Sequence, residues 1–106
     1  MRAASFVLAF FVAIGAARAG DDLPVPRGTR ADGATLISGA GFGPTVVFVA
    51  KELDRRGLAF EKVGPYRAHG VDVARFVARD EHAPWSAIHV FRARGKTWIS
   101  FVKRSP

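Results

Sequence analysis

Two runs near the C-terminus, Ala87 to Arg94 and Thr97 to Lys103, constrain the fold more than any other feature of the chain. Both are rich in β-branched and aromatic residues and flank Gly95-Lys96. They are therefore expected to pair as an antiparallel hairpin, with glycine at the first position of a type II′ turn. Alternation along the strands sends Ile88, Val90, Ile99 and Phe101 to one face, running out to Arg92, Arg94, Thr97 and Lys103. The other face receives Ala87, His89, Phe91, Ala93, Trp98, Ser100 and Val102. Both faces are substantially apolar. One helix covers only one face of a sheet, so the second needs another cover: an arm of the chain, a second subunit or a ligand.

The helix is expected over residues 44 to 56. Val46, Val49, Ala50 and Leu53 fall at i, i+3, i+4 and i+7, and Val47 widens the stripe. Pro44 or Thr45 suits its start, Arg55 and Arg56 complement the negative end of its dipole, and Gly57 is placed to be a left-handed cap. Ala34 to Ser38 reads as a short first strand and Leu58 to Val63 as another, ended by Gly64-Pro65, with Tyr66 to Gly70 as a polar connection. Val71 to Arg79 fits either a strand or a helix capped by Asp72, and its Val and Phe content favours the strand. Trp85-Ser86 reads as the start of the last strand pair, with Trp85 lidding the core. The fold class expected is α+β, one amphipathic helix packed on a small antiparallel β-sheet.

Residues 20 to 33 (GDDLPVPRGTRADG) mix Pro, Gly and charge without apolar periodicity and read as an extended N-terminal arm before a single small domain at 34 to 106. The arm is expected to cover the Phe91 and Trp98 face, with Leu23 and Val25 as anchors. Should it not, that aromatic surface becomes the leading partner site.

Residues 1 to 19 read as a signal peptide. Arg2 opens the chain, Ala3 to Ala17 is nearly unbroken apolar sequence, and Ala17-Arg18-Ala19 has the small-x-small pattern of a cleavage site. The apolar run is shorter than the roughly 20 residues a spanning helix needs, and Asp21 and Asp22 follow at once, so cleavage is favoured over a retained anchor. No stable membrane span is expected after cleavage, and the protein is read as exported, periplasmic or secreted. Cleavage leaves 87 of the 106 residues, enough for one modest core. The chain has no cysteine, which excludes disulfides, lipid attachment at the cut, a thiol nucleophile and a cysteine-ligated metal.

The formal charge is +7, and without Arg2 and Arg18 it is +5. All nine acidic residues lie between Gly20 and Trp85, where nine basic residues cancel them. The excess therefore sits in Arg92, Arg94, Lys96, Lys103 and Arg104. Such an end suits an anionic polymer of the cell envelope, although solvated strand ends explain it more simply. Phe91, Trp98 and Phe101 interleaved with Arg92, Arg94 and Lys96 resemble a single-strand nucleic-acid platform, but the alternation is that of an ordinary sheet and export argues against that partner.

Chemistry is sparsely marked. Gly39-Ala40-Gly41-Phe42-Gly43 lacks the spacing of a phosphate-binding loop and reads as a flexible strand-to-helix turn, so no cofactor is expected. His69, His82 and His89 match no compact metal pattern, and no metal is expected. Asp80-Glu81-His82, with His89 further on, is the candidate acid/base or metal-binding group, although Ala83-Pro84 beside it marks a turn. Ser38, Ser86, Ser100 and Ser105 sit in no nucleophile motif.

The leading expectation is an exported, non-enzymatic accessory or binding domain. Its contact candidates are Phe91, Trp98, Arg92, Arg94 and Lys96, and its partner is an envelope protein or an anionic polymer. A small periplasmic hydrolase or metal-dependent enzyme using His82, His89, Asp80 and Glu81 is the alternative, and a basic domain binding anionic envelope polymers is the third.

Overall fold

The apolar stripe centred on Val46 and Val49 does wind into a helix, α1 (Phe42–Arg55), which starts two residues before the predicted point. Gly41 precedes it in an extended conformation, and its carbonyl accepts from the Thr45 N–H at 2.9 Å. Pro44 sits in the first turn, where its missing N–H costs no intrahelical bond. At the far end Gly57 takes φ +73°, its N–H donates to the Asp54 carbonyl, and the Leu58 N–H donates to the Leu53 carbonyl. That pair of bonds is a Schellman closure, with Leu58 folded back onto the apolar stripe.

The computed structural model describes residues 23 to 104; the expected signal peptide and the first three arm residues lie outside them. Six strands form one antiparallel sheet: β1 (Arg30–Asp32), β2 (Thr35–Ile37), β3 (Phe60–Ala68), β4 (Val71–Ala78), β5 (Trp85–Ala93) and β6 (Lys96–Lys103), in the order β1-β2-β6-β5-β4-β3. The α+β architecture follows: one helix packed on a six-stranded antiparallel sheet. Successive antiparallel pairings make β2 and β3 run in the same direction, with β6, β5 and β4 between them. A chain leaving β2 must cross those three strands to begin β3, and α1 is that crossover.

The core lies between the helix and the middle strands. Val46, Val49 and Leu53 pack against Ala74 and Phe76 of β4, Ile88 and Val90 of β5 and Ile99 of β6. Trp85 closes one end, its ring centroid 5.1 Å from that of Phe101, as expected of a residue at the start of a strand.

Several sequence expectations change. The hairpin between β5 and β6 turns at Arg94-Gly95, not Gly95-Lys96: Ala93 pairs with Lys96, and both turn residues have positive φ (55° and 75°), the pattern of type I′. The pairing is thereby displaced by two residues, so that Val90 faces Ile99 and not Phe101. A two-residue slip keeps every side chain on its face, which is why the face assignments hold. Gly64-Pro65 does not end a strand either. β3 runs through it with an irregularity between Val63 and Tyr66, tolerated because β3 is at the sheet edge where a proline breaks no second ladder. Tyr66 to Ala68 are thus strand, and the connection shrinks to His69-Gly70, again with two positive φ values, 52° and 79°. Val71–Ala78 is a strand inside the sheet.

The arm differs most. Arg30–Asp32, read as part of it, form β1 and pair with β2. Leu23 and Val25 pack against the cluster under α1, on the face the helix already covers, and do not lie over Phe91 and Trp98. The arm is held there by the glycine run, which is packed and not merely flexible. The Gly39 N–H donates to Thr29 Oγ1, Thr29 Oγ1 donates to the Pro26 carbonyl, and a side chain at Gly39 would collide with the Arg27 carbonyl and Gly28. Ser38 and buried Thr45 complete the junction through hydroxyls 2.6 Å apart, with the Ala40 N–H donating to Ser38 Oγ.

Candidate functional site

The open face of the sheet is arranged in rows. One row crosses every strand in register: Arg30, Ile37, Trp98, Phe91, Val73 and Tyr66. The Phe91 and Trp98 rings stack across β5 and β6, with centroids 6.4 Å apart and planes 12° apart, and the indole N–H donates to the Ala93 carbonyl at 3.3 Å. Phe91, Trp98 and Val73 are half-buried and Tyr66 is exposed. The next row holds Ser100, His89, Arg75 and Val63, and the one after it Val102, Ala87, Val77 and Glu61. The helix and the described part of the arm both lie on the opposite side.

Across these rows the chemistry is an apolar band beside a short polar one. Arg75 and His89 face each other on β4 and β5. Burial, and secondarily the Arg75 charge, hold the His89 imidazole below its ordinary pKa, so it is neutral near pH 7. Ser100 stands opposite His89 on β6.

The contact residues predicted from sequence are divided by the fold. Phe91, Trp98 and Lys96 belong to the open face. Arg92 is on the helix-covered face, with its guanidinium 3.7 Å from Asp72, and Arg94 occupies the left-handed first position of the turn. Lys103 and Arg104 are at the other end of the hairpin, where Arg104 donates to the Asp80 and Ala83 carbonyls. The basic excess is therefore spread over two faces and both ends of β5 and β6.

The acid/base candidates are also separated. Asp80 and His82 meet locally: Asp80 Oδ1 accepts from the His82 N–H at 2.8 Å and lies 3.2 Å from His82 Nδ1. The backbone bond, then the ring contact, hold the Asp80 carboxyl below its usual range. This is a side-chain-capped turn, further closed by the Ala83 N–H donating to the Asp80 carbonyl and tied down by Arg104. The His82 ring is 89% exposed. His89 lies on the open face seven residues further along, and Glu81 is exposed. Among the described residues no group of three or more His, Asp or Glu side chains converges as metal ligands would.

A cleft of about 230 Å³ lies on the covered side, between the C-terminal half of α1 and β3, lined by Ala50, Leu53, Leu58, Phe60 and Phe76 with Asp54 and Lys62 at its rim. Sequence reasoning missed it, as it missed Arg75 and Tyr66. Arg75 was visible as a lone cation between Val73 and Val77 in an alternating run. Tyr66 was hidden because Gly64-Pro65 suggested that the strand had ended.

No helix among the described residues is long and apolar enough to cross a membrane. No protein-family model, curated protein or solved structure matches this chain. The class that the fold defines is an α+β domain with one sheet face covered and one left open by the described residues.

Proposed function

We propose that this is an exported, non-enzymatic binding domain whose contact surface is the open face of the sheet, centred on Phe91 and Trp98. One observation carries the reading: an aromatic and aliphatic row runs across five of the six strands, from Ile37 to Tyr66, while the helix and the described part of the arm are both used on the other side. Aromatic side chains supply much contact area with few rotatable bonds and are favoured at interfaces. The leader, with Ala17-Arg18-Ala19, supports export.

The test is capture from envelope extracts by the tagged chain. Phe91→Ala and Trp98→Ala are expected to lower recovery of a defined partner by about tenfold or more, the effect of losing an interface anchor. Arg92→Ala, on the covered face, is expected to leave recovery unchanged. Recovery of the same set with Trp98→Ala would overturn the reading. Recovery that falls with Arg94→Ala and Lys96→Ala and disappears at high salt would point to an anionic polymer instead. N-terminal sequencing of the processed protein tests export, with Gly20 as the expected first residue.

A further inference from the structure

Arg75 is the anomaly of the open face. It is half-buried, with Val73 and Val77 on either side along β4 and Val63 and His89 across from it on β3 and β5. Other guanidinium groups near the sheet are engaged or lie in solvent: Arg67 and Arg92 pair with Asp72, Arg79 with Glu61 and Arg104 with loop carbonyls, while Arg30 on edge strand β1 and Arg94 in the turn are exposed. Arg75, with five N–H donors, makes no hydrogen bond or ion pair among the described residues. His89 beside it is held neutral by burial and by that same cation, so the pair offers one positive charge flanked by a neutral imidazole and the Ser100 hydroxyl.

On the reading that the open face is a binding surface, we infer that its occupant is another protein. That partner lays apolar side chains along the Tyr66, Val73, Phe91 and Trp98 row and places one Asp or Glu carboxylate on the Arg75 guanidinium. Three features select this occupant. A forked guanidinium amid apolar surface matches a single carboxylate in a bidentate pair, which gains strength as water is excluded. The surface is a sheet face, and the cleft described above lies on the other side, so a broad partner suits it better than a small ligand. The charge and chain path also disfavour the chain's own segments: Met1 to Gly20 contain no acidic residue, Asp21 and Asp22 directly precede Leu23, which packs on the covered side, and the acids on this face, Glu61 and Asp32, are on edge strands, with Glu61 already 3.9 Å from Arg79. A second copy paired through the same face thus brings Arg75 no central carboxylate.

Arg75→Lys converts the proposed contact into a chemically addressable one, because a zero-length carbodiimide joins a lysine amine only to a carboxylate it touches. The full tagged chain carrying Arg75→Lys is produced in its own cells, treated with carbodiimide in the envelope extract, and mapped by mass spectrometry, after circular dichroism confirms the fold. The expected product joins residue 75 to an Asp or Glu of a different protein, with a yield that falls about tenfold or more when Trp98→Ala is added. Arg75→Ala is expected to lower capture of that same protein to a similar extent. Capture that depends on Trp98 but gives no link at residue 75 overturns the carboxylate contact and leaves the binding reading standing. A link from residue 75 to a second copy of this chain overturns the choice of partner. No capture by any variant, Trp98 intact or not, overturns both.

Discussion

The two faces of this sheet are made from the same strands, and often from adjacent residues, yet they have opposite fates. Ile88, Val90 and Ile99 are fully buried under α1, while Phe91 and Trp98, one position away, remain half-buried on the side that the helix and arm leave open. Hydrophobicity alone does not separate them. What separates them is chain path: the crossover from β2 to β3 passes over one side of the sheet once, and the arm follows the same side because β1 and the Gly39 contact lead it there. An apolar residue is committed to the core by what is routed over it, and one left open is available to a partner.

The sharpest break of this comparison is a pair of truncations. Phe76→Ala or Ile88→Ala, each beneath the helix, is expected to cost about 3–5 kcal/mol in denaturant unfolding. Val73→Ala, on the open face one strand position from buried Ala74, is expected to cost less than about 1 kcal/mol. Equal losses would mean that the two faces are equally covered and would remove the basis for a binding surface.

The arm's allegiance to the covered side is tested next. Gly39→Ala places a methyl group against the Arg27 carbonyl and Gly28 backbone, which must move apart. A loss of about 1–3 kcal/mol is expected, with proteolysis before β1 becoming faster while β5 and β6 keep their amide protection. Unchanged stability and unchanged cleavage would show that the arm is not held at Gly39.

Smaller still is the turn. Arg94 adopts φ 55° in a two-residue type I′ loop, where asparagine is better suited. Arg94→Asn is expected to stabilise the protein by about 0.5–1 kcal/mol, measured as a raised denaturation midpoint. A loss of stability would argue for the Gly95-Lys96 register.

The finest test is pH. His89 has its folded pKa below the unfolded value of 6.5, so the unfolded chain binds the proton more readily. Its contribution is present above pH 6.5 and is lost as pH falls from there toward the folded pKa. His89→Gln is expected to flatten that part of the stability profile, read by urea midpoints between pH 7.5 and 5 as experimental settings. Asp80 has the same sign in a lower window: its contribution is present above 3.8 and is lost as pH falls through its lower folded pKa. Only the His89 window should respond to a partner on the open face.

Much of the fold was legible where local physics is strong. The α1 stripe, the Gly57 cap, the split of residues between the two sides of β5 and β6 and the core position of Trp85 all follow from periodicity and backbone preference. The register at Arg94-Gly95 was less legible, because a glycine serves either the first position of a II′ turn or the second of a I′ turn and the flanking pattern permits both. Tyr66 and the His69-Gly70 turn were missed since Gly-Pro ends a strand inside a sheet but not at its edge, and edge position is not a local property. Of the candidate site, Phe91, Trp98 and Lys96 share one face as alternation predicts. Arg92 was grouped with them by proximity in the chain, which in a strand means the opposite side.

The amino-acid sequence by itself determined the helix, the strands around Gly95, the absence of any disulfide and the apolar character of both sheet faces, because each depends on residues a few positions apart. Only the tertiary structure decided which face the described residues leave open and that, among them, Arg75 stands there unpaired beside His89. Those outcomes depend on where β2, the arm and α1 are routed across the sheet, and routing is set by pairings between residues as distant as Leu36 and Ile99.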